Sequence, residues 1–288
     1  MKDLNHQLKQ LCQRNRDGSR STQAHRERLL SFIANELHAL GYRRMRAASL
    51  KSKHVDALVA SWQAKEISAG TLKNRMAALR WWAEKINKRN VVARDNAHYG
   101  IAARQFVAAE SKAQELSANA LARIKDDYVK MALELQREFG LRREEAIKFV
   151  PAYADRGDML VLKPTWTKGG REREIPVRTA AQREALNRAH QIAGKESLIP
   201  AALRYVDQLR RYEHQVANAG FSNMHGLRHA YAQRRYEELT GWLCPVAGGP
   251  KAATLDPERR QVDRDARLTI SRELGHEREG ITAVYLGR

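Results

Sequence analysis

From Thr22 onward, apolar residues recur at the spacing of one helical face: Leu29, Leu30, Ile33, Leu37 and Leu40, with Gly41 behind them as a stop signal. That pattern predicts a helix. A second is predicted over 53–65 through Val55, Leu58, Val59 and Trp62, and a third over 72–88, introduced by Ser68-Ala69-Gly70-Thr71. The inner face of this third helix is Leu72, Met76, Leu79, Trp82 and Ile86, and the opposite face carries Lys73, Arg75, Arg80 and Lys88. Residues 21–90 therefore read as a small all-α unit with basic side chains turned outward. Ahead of it, residues 1–20 carry Lys2, Lys9, Arg14, Arg16 and Arg20, with Gly18 and Ser19 breaking the pattern. A short helix followed by a flexible basic arm is expected there.

The stretch 91–115, with Gly100 and few large apolar residues, reads as a linker. Leu116-Ser117 then starts a helix with Ser117 as N-cap and Leu121, Ile124 and Tyr128 behind it. A longer helix over 129–139 halts at Gly140, and the next begins at Arg142, which shares a face with Glu145 three residues on. After Phe149 the apolar period shifts toward two. Three short strands are predicted, over 150–154, 159–163 and 172–177, with Arg156-Gly157-Asp158 and Lys168-Gly169-Gly170-Arg171 as turns. Helices resume over 180–192, 203–218 and 224–240, and Pro245, Gly248, Gly249, Pro250 and Pro257 mark 241–265 as a loop insertion. Ile281, Val284 and Tyr285 fall at i, i+3 and i+4, the stripe of a terminal helix. Residues 116–288 thus form a mainly α domain with a small antiparallel β-sheet.

Charge adds a partner to this picture. Lys and Arg number 52 against 33 Asp and Glu, a formal charge of +19 with a pI near 10.2, the balance of a protein that holds a polyanion. Nucleic acid is the obvious one, although the basic residues are spread over several helices, as they also are on an indifferent basic surface. Cys12 and Cys244 lie far apart and no Cys-x-x-Cys occurs, which disfavours a disulfide framework or a thiolate metal site. No run approaches eighteen apolar residues and the N-terminus is too polar to begin a signal peptide, so a cytoplasmic protein without membrane contact is expected.

Candidate chemistry sits in short segments of the second half. They are Gly140-Leu141-Arg142, the turn Thr167-Lys168-Gly169-Gly170-Arg171, His225-Gly226-Leu227-Arg228-His229, Leu274-Gly275-His276, and Tyr285 nine residues after His276. No one of these is specific; their order and separations are. Together they resemble the tyrosine site-specific recombinases of the phage-integrase family. The resemblance implies a DNA breaking-rejoining fold in which 21–90 is the core-binding domain and 116–288 the catalytic domain. It also implies a reaction through a 3′-phosphotyrosyl ester with no metal, ATP or other cofactor, double-stranded DNA as partner, a homotetramer on two sites, and possible accessory DNA-bending proteins. Type IB-like topoisomerase activity and a catalytically silent DNA-binding regulator are the alternatives within the same fold.

Residue by residue, the resemblance casts Tyr285 as nucleophile and Arg142 and Arg228 as the clamp on the non-bridging phosphate oxygens. Two guanidiniums suit that task because they stay charged and donate parallel hydrogen bonds. Lys168 would protonate the departing 5′ oxygen, His225 would help accept the tyrosine proton, His276 would donate to the phosphate, and Glu145 would orient the neighbouring cations. Lys73, Arg75, Arg80 and Lys88 would contact DNA from the first domain. By chemistry alone Arg143 rivals Arg142, and Arg171 or Arg173 rivals Lys168. His225 and His229 stand at zinc-ligand spacing, but Gly226 occupies the place where a His-Glu-x-x-His enzyme needs its glutamate. The family commonly continues past the tyrosine into a segment that packs on a neighbouring protomer. Here Leu286-Gly287-Arg288 follow, so either the chain is truncated or protomers couple another way, with the insertion around 245–257 a candidate for that contact.

Overall fold

The computed structural model describes residues 3–103 and 106–288 and divides into two compact units, Met1–Gln105 and Phe106–Arg288. The first unit is helical: α1 (Asp3–Arg14), α2 (Arg20–Ala39), α3 (Ser52–Ala64) and α4 (Ala69–Lys85). Ser19 caps α2 by accepting from the Thr22 amide, and Ser68 caps α4 through Thr71. Trp62 and Trp82 are the largest fully buried side chains of this core, and the Trp82 indole donates to the Ala47 carbonyl at 3.0 Å. The short helix expected within 1–20 is present as α1, and it is docked rather than free. Leu4, Leu8 and Cys12 are buried in the core, and Asn5 bonds the Ser31 carbonyl, because the 4-residue recurrence of apolar side chains gives α1 a face to dock on α2.

The basic side chains on the outer face of α4 and the turn behind it are not all free. The Arg75 guanidinium lies 4.4 Å from the Phe32 ring centroid and 4.9 Å from that of Trp62, beside Glu36. Arg80 donates to the Ala93 carbonyl and to Asn96, and Lys88 to the Ala48 carbonyl. Long side chains can lie along apolar surface and spend their charge on neighbouring acceptors, which a helical wheel does not show. Lys73 makes no ion pair or hydrogen bond among the described residues.

The second unit comprises α5 (Ala118–Ala122), α6 (Asp127–Phe139), α7 (Arg143–Ile147), α8 (Pro151–Ala154), β1 (Met159–Leu162), β2 (Arg173–Pro176), α9 (Ala180–Ala193), α10 (Tyr205–Asn218), α11 (Gly226–Thr240), α12 (Pro257–Glu273) and α13 (Ala283–Leu286). Mainly α with one small antiparallel sheet is the observed class. The sheet has two strands, with Met159 opposite Pro176 and Leu162 opposite Arg173. The strand predicted over 150–154 is instead a single helical turn. Pro151 stands at its first position, where the missing N–H costs nothing. The loop insertion also ends sooner than expected, since Asp256 caps and Pro257 opens α12.

The expected linker 91–115 is divided between the units. Val92 and Ile101 are buried in the first core. In the second unit the Ala108 amide donates to the Ala283 carbonyl and the Gln114 amide to that of Gly226. Around α6 and α9 lies a large core with Phe139, Phe149, Leu160 and Tyr212, while Tyr236, Ile270, Leu274, Tyr285 and Leu286 form a smaller cluster between α11, α12 and α13. Burying side chains of this size contributes about 1.5–3 kcal/mol each, and it is this cluster that holds Tyr285 in place.

Candidate active site

The site gathers around one backbone carbonyl. Leu274 caps the C-terminus of α12, where the last carbonyls lack helical partners and carry the negative end of the helix dipole. Arg142 and Arg173 donate to the Leu274 oxygen at 3.3 and 3.2 Å, and Arg228 donates to it through a still shorter bond. Three cations from three elements, the α6–α7 loop, β2 and α11, thus converge on one acceptor. The convergence needs Gly140. Its φ of +60° is left-handed, and a Cβ there would lie 2.6 Å from the Tyr231 ring, so the chain can turn into Arg142 only without a side chain.

Glu145 is completely buried beneath these arginines. Its carboxylate accepts from the Arg142 amide at 2.7 Å, from the Arg142 guanidinium at 2.7 Å and from Arg173 at 2.7 Å. Burial alone would raise its pKa, but Arg173, Arg228 and Arg142 outweigh that and hold it at about 2. Arg228 is 1% exposed, and burial pushes its pKa down to about 10, with Tyr285 opposing the fall. Its Nη1 donates to the Gly140 carbonyl and its Nε to the Tyr285 hydroxyl at 3.2 Å.

Three imidazoles surround the tyrosine. The ring centroids of His229, His225 and His276 lie 4.8, 6.2 and 6.4 Å from that of Tyr285. Burial, then Arg228 and Arg142, lower the pKa of His225 and bring His276 down to about 4. Burial and then His225 bring His229 to about 4. All three are therefore neutral near pH 7, able to take up a proton or to donate a ring N–H. His225 and His229 turn toward the tyrosine, and among the described residues no group of three His, Cys, Asp or Glu could hold a metal ion.

Lys168 sits exposed in the turn between β1 and β2. It lines a cavity of about 620 Å³ together with Arg142, Arg171, Arg173 and His276. Of the candidates named from sequence, Arg142, Glu145, His225, Arg228, His276 and Tyr285 form one connected cluster, and Lys168 stands at the rim of the cavity that opens onto it. Arg143 is elsewhere, paired with Glu213 at the surface. The Leu274 carbonyl was not foreseen as part of the cluster, and Arg173, weighed from the sequence only as a rival to Lys168, is buried against Glu145 instead. A signal for Arg173 existed, since it alternates with Glu174 ahead of the inward Ile175 and so had to face the interior.

A family profile described as "Phage integrase, N-terminal" matches residues 1–92, and one described as "Integrase" matches residues 101–234. Between them they span most of the chain. It belongs to the phage-integrase family of tyrosine recombinases. Among solved structures, this integrase-family chain is similar to a lambda integrase dimer bound to a COC′ core site, with 17% identity and a TM-score of 0.60 over 98% of this chain and 76% of that one. It is also similar to the Tn1549 transposon integrase in complex with circular intermediate DNA, with 14% identity and a TM-score of 0.59 over 98% and 95% of the two chains. A lambda integrase tetramer bound to a Holliday junction gives 14% identity and a TM-score of 0.56 over 96% of this chain and 76% of that one. At such identities the likeness is one of fold. No curated protein matches by sequence. No helix among the described residues is long and apolar enough to cross a membrane.

Proposed function

We propose that this integrase-family chain cleaves and rejoins double-stranded DNA at defined sites, with Tyr285 as nucleophile, and that it works as a tetramer on two sites. The observation that carries this reading is the hydrogen bond from buried Arg228 to the Tyr285 hydroxyl. A guanidinium in that position stabilises a phenolate. In the proposed step the tyrosine oxygen bonds to phosphorus as the bond to the 5′ oxygen breaks. The phenolic proton passes to neutral His225, and Lys168 gives one to the departing oxygen. Arg142, Arg228 and His276 hold the non-bridging oxygens, doing by fixed charge what a bound metal does in other phosphoryl-transfer enzymes. The 3′-phosphotyrosyl ester keeps the bond energy, so a new 5′ hydroxyl can rejoin the strand without ATP. DNA complexes among the structural relatives support the substrate class, and the lambda integrase tetramer supports the assembly.

The test is a nicked suicide substrate run on a denaturing gel. The wild-type chain is expected to form a covalent adduct and Tyr285→Phe to bind the same DNA without forming one. An adduct that survives in Tyr285→Phe would make Tyr231, Tyr236 or another tyrosine the nucleophile.

A further inference from the structure

We infer that Arg173 is a positioning residue that locks Arg142 and Arg228 into the geometry of a phosphate cradle. The inference rests on the proposed cleavage reaction and concerns a residue with no role in it so far. Arg173 is 5% exposed, an unusual place for a guanidinium on a short edge strand, and it joins two anchors. One is Glu145, met at 2.7 and 3.3 Å through two nitrogens; the other is the Leu274 carbonyl at 3.2 Å. Arg142 shares both anchors, and Arg228 shares the second.

Two cations competing for one carboxylate divide it. With Arg173 and the Arg142 amide on Oε2, and Arg173 partly on Oε1, Glu145 offers the Arg142 guanidinium only Oε1, through one nitrogen at 2.7 Å, and the other terminal nitrogen of Arg142 is left to point at Leu274 and at His276, 3.5 Å away. Without Arg173 the carboxylate would be free to take both terminal nitrogens of Arg142 in a fork, the pairing geometry Arg and carboxylate prefer. That would draw Arg142 out of the cavity.

Gly275 records how tightly this lock is built. It has a φ of +69°, and a Cβ at that position would stand 3.0 Å from both Cδ and Nη1 of Arg173. The glycine of Leu-Gly-His therefore leaves room for the Arg173 side chain, and the same turn delivers His276.

The experiment compares wild type, Arg173→Met and Arg173→Lys in single-turnover cleavage of the suicide substrate at saturating DNA, with DNA affinity measured across a salt series. Thermal unfolding and the DNA-competent fraction correct each rate for folded protein. Arg173→Met is expected to lose about a hundredfold in the cleavage rate, the scale of an ångström-level misplacement of catalytic groups, with DNA affinity and its salt slope unchanged. Arg173→Lys keeps the charge and most of the volume but not the fork, so it folds where Met fails and is expected to show an intermediate loss. An unchanged rate in either variant overturns the inference. So does a salt slope that falls by about 0.9, which would make Arg173 a phosphate ligand in its own right. Absence of cleavage by the wild-type chain would instead count against the proposed function.

Discussion

The two units spend their arginines in opposite ways. In the first, Arg75 lies across Phe32 and Trp62 beside Glu36, and Arg80 is bound to Ala93 and Asn96. Arg75 has an acid beside it, Arg80 is hydrogen-bonded to neutral acceptors, and both serve the packing of their own unit. In the second, Arg142, Arg173 and Arg228 crowd around a single buried carboxylate and a single carbonyl, and Arg142 and Arg173 reach the wall of a cavity. A residue type that is structural in one half is poised for chemistry in the other. What separates the cases is the supply of acceptors, which no count of basic residues reveals.

The sharpest way to break this contrast is to delete one arginine from each side. Arg228→Ala should lose roughly 10²–10³ in cleavage rate at saturating DNA, the range for removing a donor that faces developing charge. Arg75→Ala should leave that rate unchanged while lowering the thermal midpoint. If Arg75→Ala proved the more damaging to cleavage, the division of labour would be wrong.

Lys168 tests whether the cavity rim takes part. Lys168→Ala should lose about a hundredfold or more on ordinary DNA, as expected for a missing general acid. Sulfur in place of the bridging 5′ oxygen should rescue it, since a thiolate leaves without protonation, and should not rescue Arg228→Ala. Rescue of Arg171→Ala in place of Lys168→Ala would move the acid to the neighbouring arginine.

Acid should act on the second unit first. His229 and His276 have folded pKa values of about 4, below their ordinary 6.5, so the unfolded state binds protons that the folded state refuses. The stability they contribute is present above pH 6.5 and lost as pH falls toward 4, and Glu145, held at about 2 against 4.5, extends the loss below that. Urea melts followed at several pH values should show the second unit weakening in that window, and His229→Phe should flatten the slope. Equal weakening of both units would detach the effect from the site.

The smallest effect separates a free cation from a bound one. Lys73→Ala should reduce the salt slope of DNA binding by about 0.9, one released counterion per lost phosphate contact. Arg80→Ala should leave the slope alone and cost about 1 kcal/mol of stability for each hydrogen bond it made. The reverse result would return Arg80 to the DNA face.

Much of this was legible in the chain. The apolar stripes through Leu30, Ile33 and Leu37 and through Leu72, Met76 and Leu79 marked α2 and α4, and the serines at 19 and 68 bring caps whose chemistry is local. Spacing and resemblance together singled out Arg142, Arg228, His276 and Tyr285, which the fold brings into one cluster. Three places resisted. Pro151 started a helical turn where alternation suggested a strand, α1 docked where charge suggested an arm, and Pro257 opened a helix inside what read as a loop. In each, a local preference was decided by what lay across the contact.

The sequence by itself determined which residues could do the chemistry, because side-chain type, helical period and cap signals are properties of neighbouring positions. Only the tertiary structure decided which of them act together. Arg80 became a clamp on the segment that follows α4 and Arg173 a lock in the site, though the chain writes both as one more arginine on a basic protein. A charge takes its role from the acceptors that reach it, and those at Asn96, Glu145 and Leu274 arrive from positions up to 101 residues distant.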